Sequence, residues 1–239
     1  MILLVKKKSL YRAAMAATAG VMAVALVYTA LGAQSALPAS KTSGLADEKR
    51  TFILDPGHGG EDGGAVSGDG TSESNLNLRI AEKLYFLFRF CGQSCGMTRN
   101  SDVSVYSSGS DTLHEKKVSD LKNRVSMVNQ TSCAFLISIH QNFLPSSSVH
   151  GAQVFYNTQS DAKETGLQIQ NCLNETVNGA RKKAAKPISP TIYLMKNIQK
   201  PGVLIECGFL SNPAETEKLK TPAYQTLLAA SIVSGTLRI

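Results

Sequence analysis

Two rhythms of apolar residues run along this chain. Short β-branched and apolar runs at 51–54, 95–98, 134–139, 151–156, 191–195 and 202–205 read as strands. Between most of them apolar residues recur at helical spacing. The clearest helix begins at Ser72, a capping residue, and runs to about Phe90, with Leu76, Ile80, Leu84 and Leu87 on one stripe. Further helices are predicted at 115–130, 160–179 and 222–237. Strands that alternate with helices in this way predict an α/β fold, a mostly parallel twisted sheet with helices on both faces, in a single domain over 51–239.

The first 40 residues do not belong to that pattern. Lys6, Lys7, Lys8 and Arg12 precede an unbroken apolar, alanine-rich run from Ala13 to about Ala33, close to the ~20 residues that span a bilayer. Residues 1–33 therefore read as a signal peptide or a transmembrane anchor, with the lysines on the cytoplasmic side. In both cases the rest of the chain is exported. The small, polar, proline-containing stretch 34–50 reads as a linker.

The net charge is +7, but four of the cations lie in that leader and no acid does, so the remainder carries only +3. That speaks against a nucleic-acid partner. Arg181, Lys182, Lys183 and Lys186 form one basic cluster, which reads as a solvated helix end. The five cysteines are odd in number and lack metal-site spacing, so they do not form a disulfide framework. Cys133 and Cys207 lie in apolar strand contexts and are expected to be buried, while Cys91 and Cys95 flank a turn that a disulfide would be able to bridge.

Chemistry gathers at strand ends. Asp55-Pro56-Gly57-His58-Gly59-Gly60 follows the first strand, His140 ends the run 136–140, and Glu206 ends the run 203–206. In a parallel sheet these ends share one edge, where active sites of open α/β folds collect. Glu73 lies on the buried stripe of the first helix, and a carboxylate facing a core needs a partner. Two histidines and one carboxylate suit a catalytic zinc ion, and a further carboxylate that does not bind the metal suits a general base. Taken singly, each residue has an ordinary structural explanation; it is their shared topological position that suggests a metal hydrolase. His114 and His150 fall in polar loops as bystanders. The loop 57–64 lacks the Lys-Ser/Thr of a phosphate loop and carries Glu61 and Asp62.

Five separated motifs, in order, resemble those of the zinc-dependent N-acetylmuramoyl-L-alanine amidases with a type 3 catalytic domain. They are 55–60, Glu73 opening a helix, Thr98-Arg99 with Asp102, Ser138-Ile139-His140-Gln141-Asn142, and the run 206–212. The resemblance covers 51 to the C-terminus. It implies one Zn2+ ion held by His58, Glu73 and His140, Glu206 as the catalytic acid-base, and positioning roles for Asp55, Asn142 and Asn212. The implied reaction is hydrolysis of the amide between the lactyl group of N-acetylmuramic acid and L-alanine in peptidoglycan. A single catalytic domain without wall-binding repeats looks like the short sporulation amidases of the CwlD type, which act on spore-cortex peptidoglycan. Such an enzyme would work at the extracytoplasmic membrane face or in the wall, and an accessory protein partner is compatible with its lack of a targeting module. The competing expectations are a non-catalytic peptidoglycan-binding module and a metal-dependent glycan deacetylase.

Overall fold

The computed structural model describes residues 49–238. The leader at 1–33 and most of the linker lie outside the described residues. Among the described residues no helix is long and apolar enough to cross a membrane.

The elements run β1 (Thr51–Pro56), α1 (Glu73–Phe90), β2 (Ser94–Met97), α2 (Leu113–Gln130), β3 (Ala134–Asn142), β4 (Gln153–Tyr156), α3 (Ala162–Thr176), β5 (Lys186–Pro187), α4 (Tyr193–Asn197), β6 (Gly202–Phe209), α5 (Pro213–Leu219) and α6 (Pro222–Thr236). They build one sheet in the order β2-β1-β3-β6-β4-β5. All neighbouring pairs are parallel except β4 with β6, so the sheet is mixed. The central strands β1, β3 and β6 are buried nearly throughout, as parallel strands covered on both faces must be.

The larger core packs Leu76, Ile80, Leu84 and Phe88 of α1, Ile169 and Leu173 of α3, and Leu228 and Ile232 of α6 against Phe52, Leu54, Phe135, Ile137 and Ile205 of the sheet. Phe52 and Phe88 stack with ring centroids 4.5 Å apart. The opposite face carries a thinner cover, in which Val128 of α2 and Leu194, Met195 and Ile198 meet Ile53, Leu136 and Leu204.

The structure departs from the sequence reading in several places. The stretch 191–195, expected as a strand, gives way to the short helix α4, because Leu194 and Ile198 at a spacing of four bury together on one side while Tyr193 turns outward. Cys133 is half-buried with φ 46° and stands just before β3 rather than within a strand. Cys91 and Cys95 are unbridged thiols. His114 sits in the first turn of α2 rather than in a loop. Finally, β3 and β6 continue beyond His140 and Glu206, with a bulge between His140 and Asn142.

Candidate active site

Three adjacent parallel strands bring the predicted residues to one edge of the sheet. His140 and Glu206 are direct register partners on β3 and β6. Gly57 N–H donates to Ile139 O at 3.0 Å and carries the chain off β1. His58 follows in the left-handed region, at φ 62°, a costly conformation for a non-glycine residue that persists only where the surroundings enforce it. The His58 and His140 rings meet edge to face with centroids 5.1 Å apart.

Glu73, buried at the start of α1, lies between the two imidazoles. Its Oε1 is 2.9 Å from His140 Nδ1 and its Oε2 is 3.3 Å from His58 Nε2. Gln141 N–H donates to Oε1 at 3.1 Å and Ala65 N–H to Oε2 at 2.9 Å, which fixes the carboxylate plane. Ser72 precedes this helix without capping it through its side chain. One donor atom from each of His58, Glu73 and His140 lies within 4.8 Å of the others, a group able to hold a metal ion.

Close packing at this point requires glycine. A Cβ on Gly57 would stand 2.1 Å from His140 Cε1, and one on Gly64, whose φ is +68°, would stand 2.6 Å from Glu73 Oε2.

Below the loop, two buried arginines that sequence reasoning left unassigned hold its carbonyls. Arg124 donates to Pro56 O at 2.9 Å and His58 O at 2.8 Å, and pairs with Asp55 at 2.7 Å. Arg99 donates to Pro56 O at 2.9 Å and to Gly57 O at 3.1 Å. Asp55 also accepts from Thr98 and Ser138, both at 2.7 Å. Burial raises the Asp55 pKa, but Arg124 and these hydroxyls outweigh it and hold the carboxyl at about 2. The available signal for Arg124 was a charged side chain one helical turn before the core residue Val128. The position predicted for Asp55 is thus filled by a structural anchor of the His58 loop. Asn142 O accepts from Leu210 N–H at 2.8 Å, and Asn212 caps α5 by accepting from Glu215 N–H at 3.1 Å.

Electrostatics separate the two carboxylates. Burial would favour a protonated Glu73, yet hydrogen bonds from His140 and His58 hold its pKa well below the usual range. For His58, burial opposes the charged ring, but Asp62 and Glu73 raise its pKa to about 9. Asp62 Oδ2 lies 3.0 Å from His58 Nδ1, off the axis of the ring N–H, so this contact is an ion pair rather than an aligned hydrogen bond. Glu206 is half-buried, and its Oε2 is shielded from solvent with no hydrogen-bond partner among the described residues. Burial pushes its pKa up to about 7, against the imidazole of His140 and with the help of the Glu73 charge. A carboxyl at that value can both accept and return a proton near neutrality. His114 and His150 stand apart from this group.

An α/β sheet that carries two imidazoles and a carboxylate at one edge, with an unpartnered carboxyl beside them, has the layout of a metal-dependent hydrolase. Its kind is settled by comparison. The chain belongs to the N-acetylmuramoyl-L-alanine amidase family (Amidase_3), whose model matches residues 52–238, and it is accordingly an amide hydrolase of that specificity. It is 40% identical over 190 residues, 79% of each chain, to the germination-specific N-acetylmuramoyl-L-alanine amidase of Bacillus subtilis (strain 168). Among solved structures, it is similar to the CwlD amidase of Clostridioides difficile in complex with the GerS lipoprotein, at 39% identity and TM-score 0.75 over 78% of this chain and 96% of that one. It also resembles an N-acetylmuramoyl-L-alanine amidase of Clostridium difficile 630, at 30% identity and TM-score 0.66 over 79% and 95% of the two chains.

Proposed function

We propose that this amidase uses one zinc ion held by His58, Glu73 and His140, with Glu206 as its proton carrier, and that it trims spore-cortex peptidoglycan from the outer face of a membrane. The observation that carries the site assignment is the pairing of opposite fates for two neighbouring carboxyls. Glu73 is fixed by two imidazoles and two backbone N–H groups, whereas Glu206 Oε2 is shielded and unpartnered. The donor set fits the ion, since two nitrogens and one carboxylate oxygen converge within 4.8 Å, the composition favoured by catalytic zinc.

When bound, zinc polarises the scissile carbonyl and lowers the pKa of water toward ~7. The protein residues do the rest. Glu206 Oε2 takes the proton of the attacking water and returns it to the departing nitrogen of L-alanine. Glu73 stays ionised, its carboxylate plane held by the N–H groups of Gln141 and Ala65, and the carbonyl clamp of Arg99 and Arg124 keeps His58 in its left-handed conformation. The cortex assignment rests on the germination-specific relative, the reading of an accessory lipoprotein partner on the complexed one, and export on the leader at 1–33. The catalytic domain is taken as 51–239.

The test is digestion of purified peptidoglycan with the metal-loaded full chain, followed by mass spectrometry. Released peptides that begin with L-alanine are expected; loss of acetyl groups, or no product, would sink the proposal.

A further inference from the structure

Away from the site, α1 carries a face that catalysis leaves unused. Arg79, Lys83, Phe86 and Phe90 follow one another at i, i+4, i+7 and i+11 and so form a single stripe. Phe86 and Phe90 are 67% and 66% exposed, and they stack on one another with centroids 6.3 Å apart and planes 17° from parallel. Tyr85 and Arg89, both exposed, flank them on one side. Glu82 is the only acid on this side of the helix, against Arg79, Lys83 and Arg89. Stacked rings ringed by cations match a surface that is apolar beneath and anionic on top.

Two features of the fold say what that surface is. The described chain begins beside this face, where Lys49 Nζ donates to Gly92 O at 2.7 Å, two residues after Phe90. From there back to the apolar run ending at Ala33 are only residues 34–48, which span at most ~50 Å when fully extended. Polarity is the second feature. Glu73 and Phe90 are the first and last residues of α1, ~25 Å apart along its axis, so the aromatic pair lies at the opposite end of the sheet from the site.

We infer that the Arg79–Lys83–Phe86–Phe90 face of α1 rests on an anionic lipid bilayer, into which the two phenylalanines insert, and so aims the active-site edge away from the membrane toward the wall. This inference rests on the reading of residues 1–33 as a leader that brings the domain to a membrane. Tethering alone would leave the domain free to tumble; the stripe gives it one orientation.

The chain has no tryptophan, so a single introduced indole reports one place. The full chain carrying Phe86→Trp is reconstituted in vesicles of phosphatidylglycerol and a brominated lipid, beside a second protein carrying Met127→Trp. Met127 is a surface residue on α2, which covers the other face of the sheet. Both proteins share the same tether, so insertion of the leader affects them equally. The expected result is a blue-shifted emission for Phe86→Trp and several-fold stronger quenching than for Met127→Trp, reduced when phosphatidylcholine replaces the anionic lipid or when Arg79→Glu and Arg89→Glu are added. Equal quenching of the two would overturn the inference. So would a blue shift that needs no lipid and grows with protein concentration, which would make the face a contact between protein chains. Neither readout involves metal or turnover, so failure here and failure of the peptidoglycan digestion are separate results.

Discussion

Replacing Arg124 with methionine should cost this domain a large part of its stability, by a mechanism that reverses its pH dependence. The guanidinium is buried, pairs with Asp55 at 2.7 Å and with Asp120 at 2.7 Å, and donates to two carbonyls of the His58 loop. The Asp55 side has its own scale. Its pKa is held at about 2 against an ordinary 3.8, a gap worth about 2–3 kcal/mol at neutral pH. Because the folded value is depressed, that stability is present above pH 3.8 and is lost as pH falls through 2. Removing one partner of a buried pair typically costs about 3–5 kcal/mol, since the other charge is left uncompensated. For a domain of this size the melting temperature would fall by about 10 °C. In Arg124→Met the buried Asp55 carboxyl loses its main cation, so its pKa rises and the penalty shrinks as it protonates. Guanidinium titrations of wild type and variant, metal-free, at pH 7 and pH 4.5 would measure the effect. A loss below about 1 kcal/mol at pH 7, or an equal loss at both pH values, would refute this account of the clamp.

Three further outcomes are expected. Glu206→Gln keeps its metal and loses about 10²–10⁴-fold in kcat, whereas His140→Ala loses metal as well as activity; metal analysis beside turnover separates the two, and wild-type zinc content in His140→Ala would remove that histidine from the ligand set. Gly57→Ala places a methyl where His140 Cε1 stands, 2.1 Å from its ideal position, so zinc affinity should fall sharply in calorimetry while the far-ultraviolet spectrum stays that of wild type. In the metal-free protein the pKa of His58 is raised to about 9, so the stability it contributes is fully present below pH 6.5 and disappears as pH rises through 9. On the proposed zinc site the metal would displace that proton, so calorimetry of zinc binding in buffers of different ionisation enthalpy at pH 7.5 should show proton release. The release should shrink in Asp62→Asn, because Asp62 provides the first of the contacts that raise His58.

Much of the candidate site was legible because strand ends are legible. Buried parallel strands are written as continuous apolar runs, and a polar residue that interrupts such a run, as His140 and Glu206 do, announces itself. Glu73 was visible as a charge on an apolar stripe. Short helices and edge strands were less so. Nothing in the run 191–195 distinguishes a half-buried strand from the single helical turns of α4, and the two-residue β5 exists only because β4 lies next to it. The aromatic stripe of α1 was hidden in a helix with hydrophobic residues on several sides.

By itself, then, the order of residues determined the alternation of strands and helices, the four side chains with chemistry to offer, and the family to which they point. Their assignment to different tasks is a tertiary matter. The register of β3 against β6 sets Glu206 beside His140, the missing side chain of Gly57 lets the imidazole of His140 approach, and buried Arg124 and Arg99 hold His58 in a conformation it would not adopt alone. Periodicity records which side of an element is buried, but contacts between residues 43 to 83 positions apart, and the desolvation that pushes the pKa of Glu206 up while hydrogen bonds pull that of Glu73 down, exist only once the sheet has closed around them.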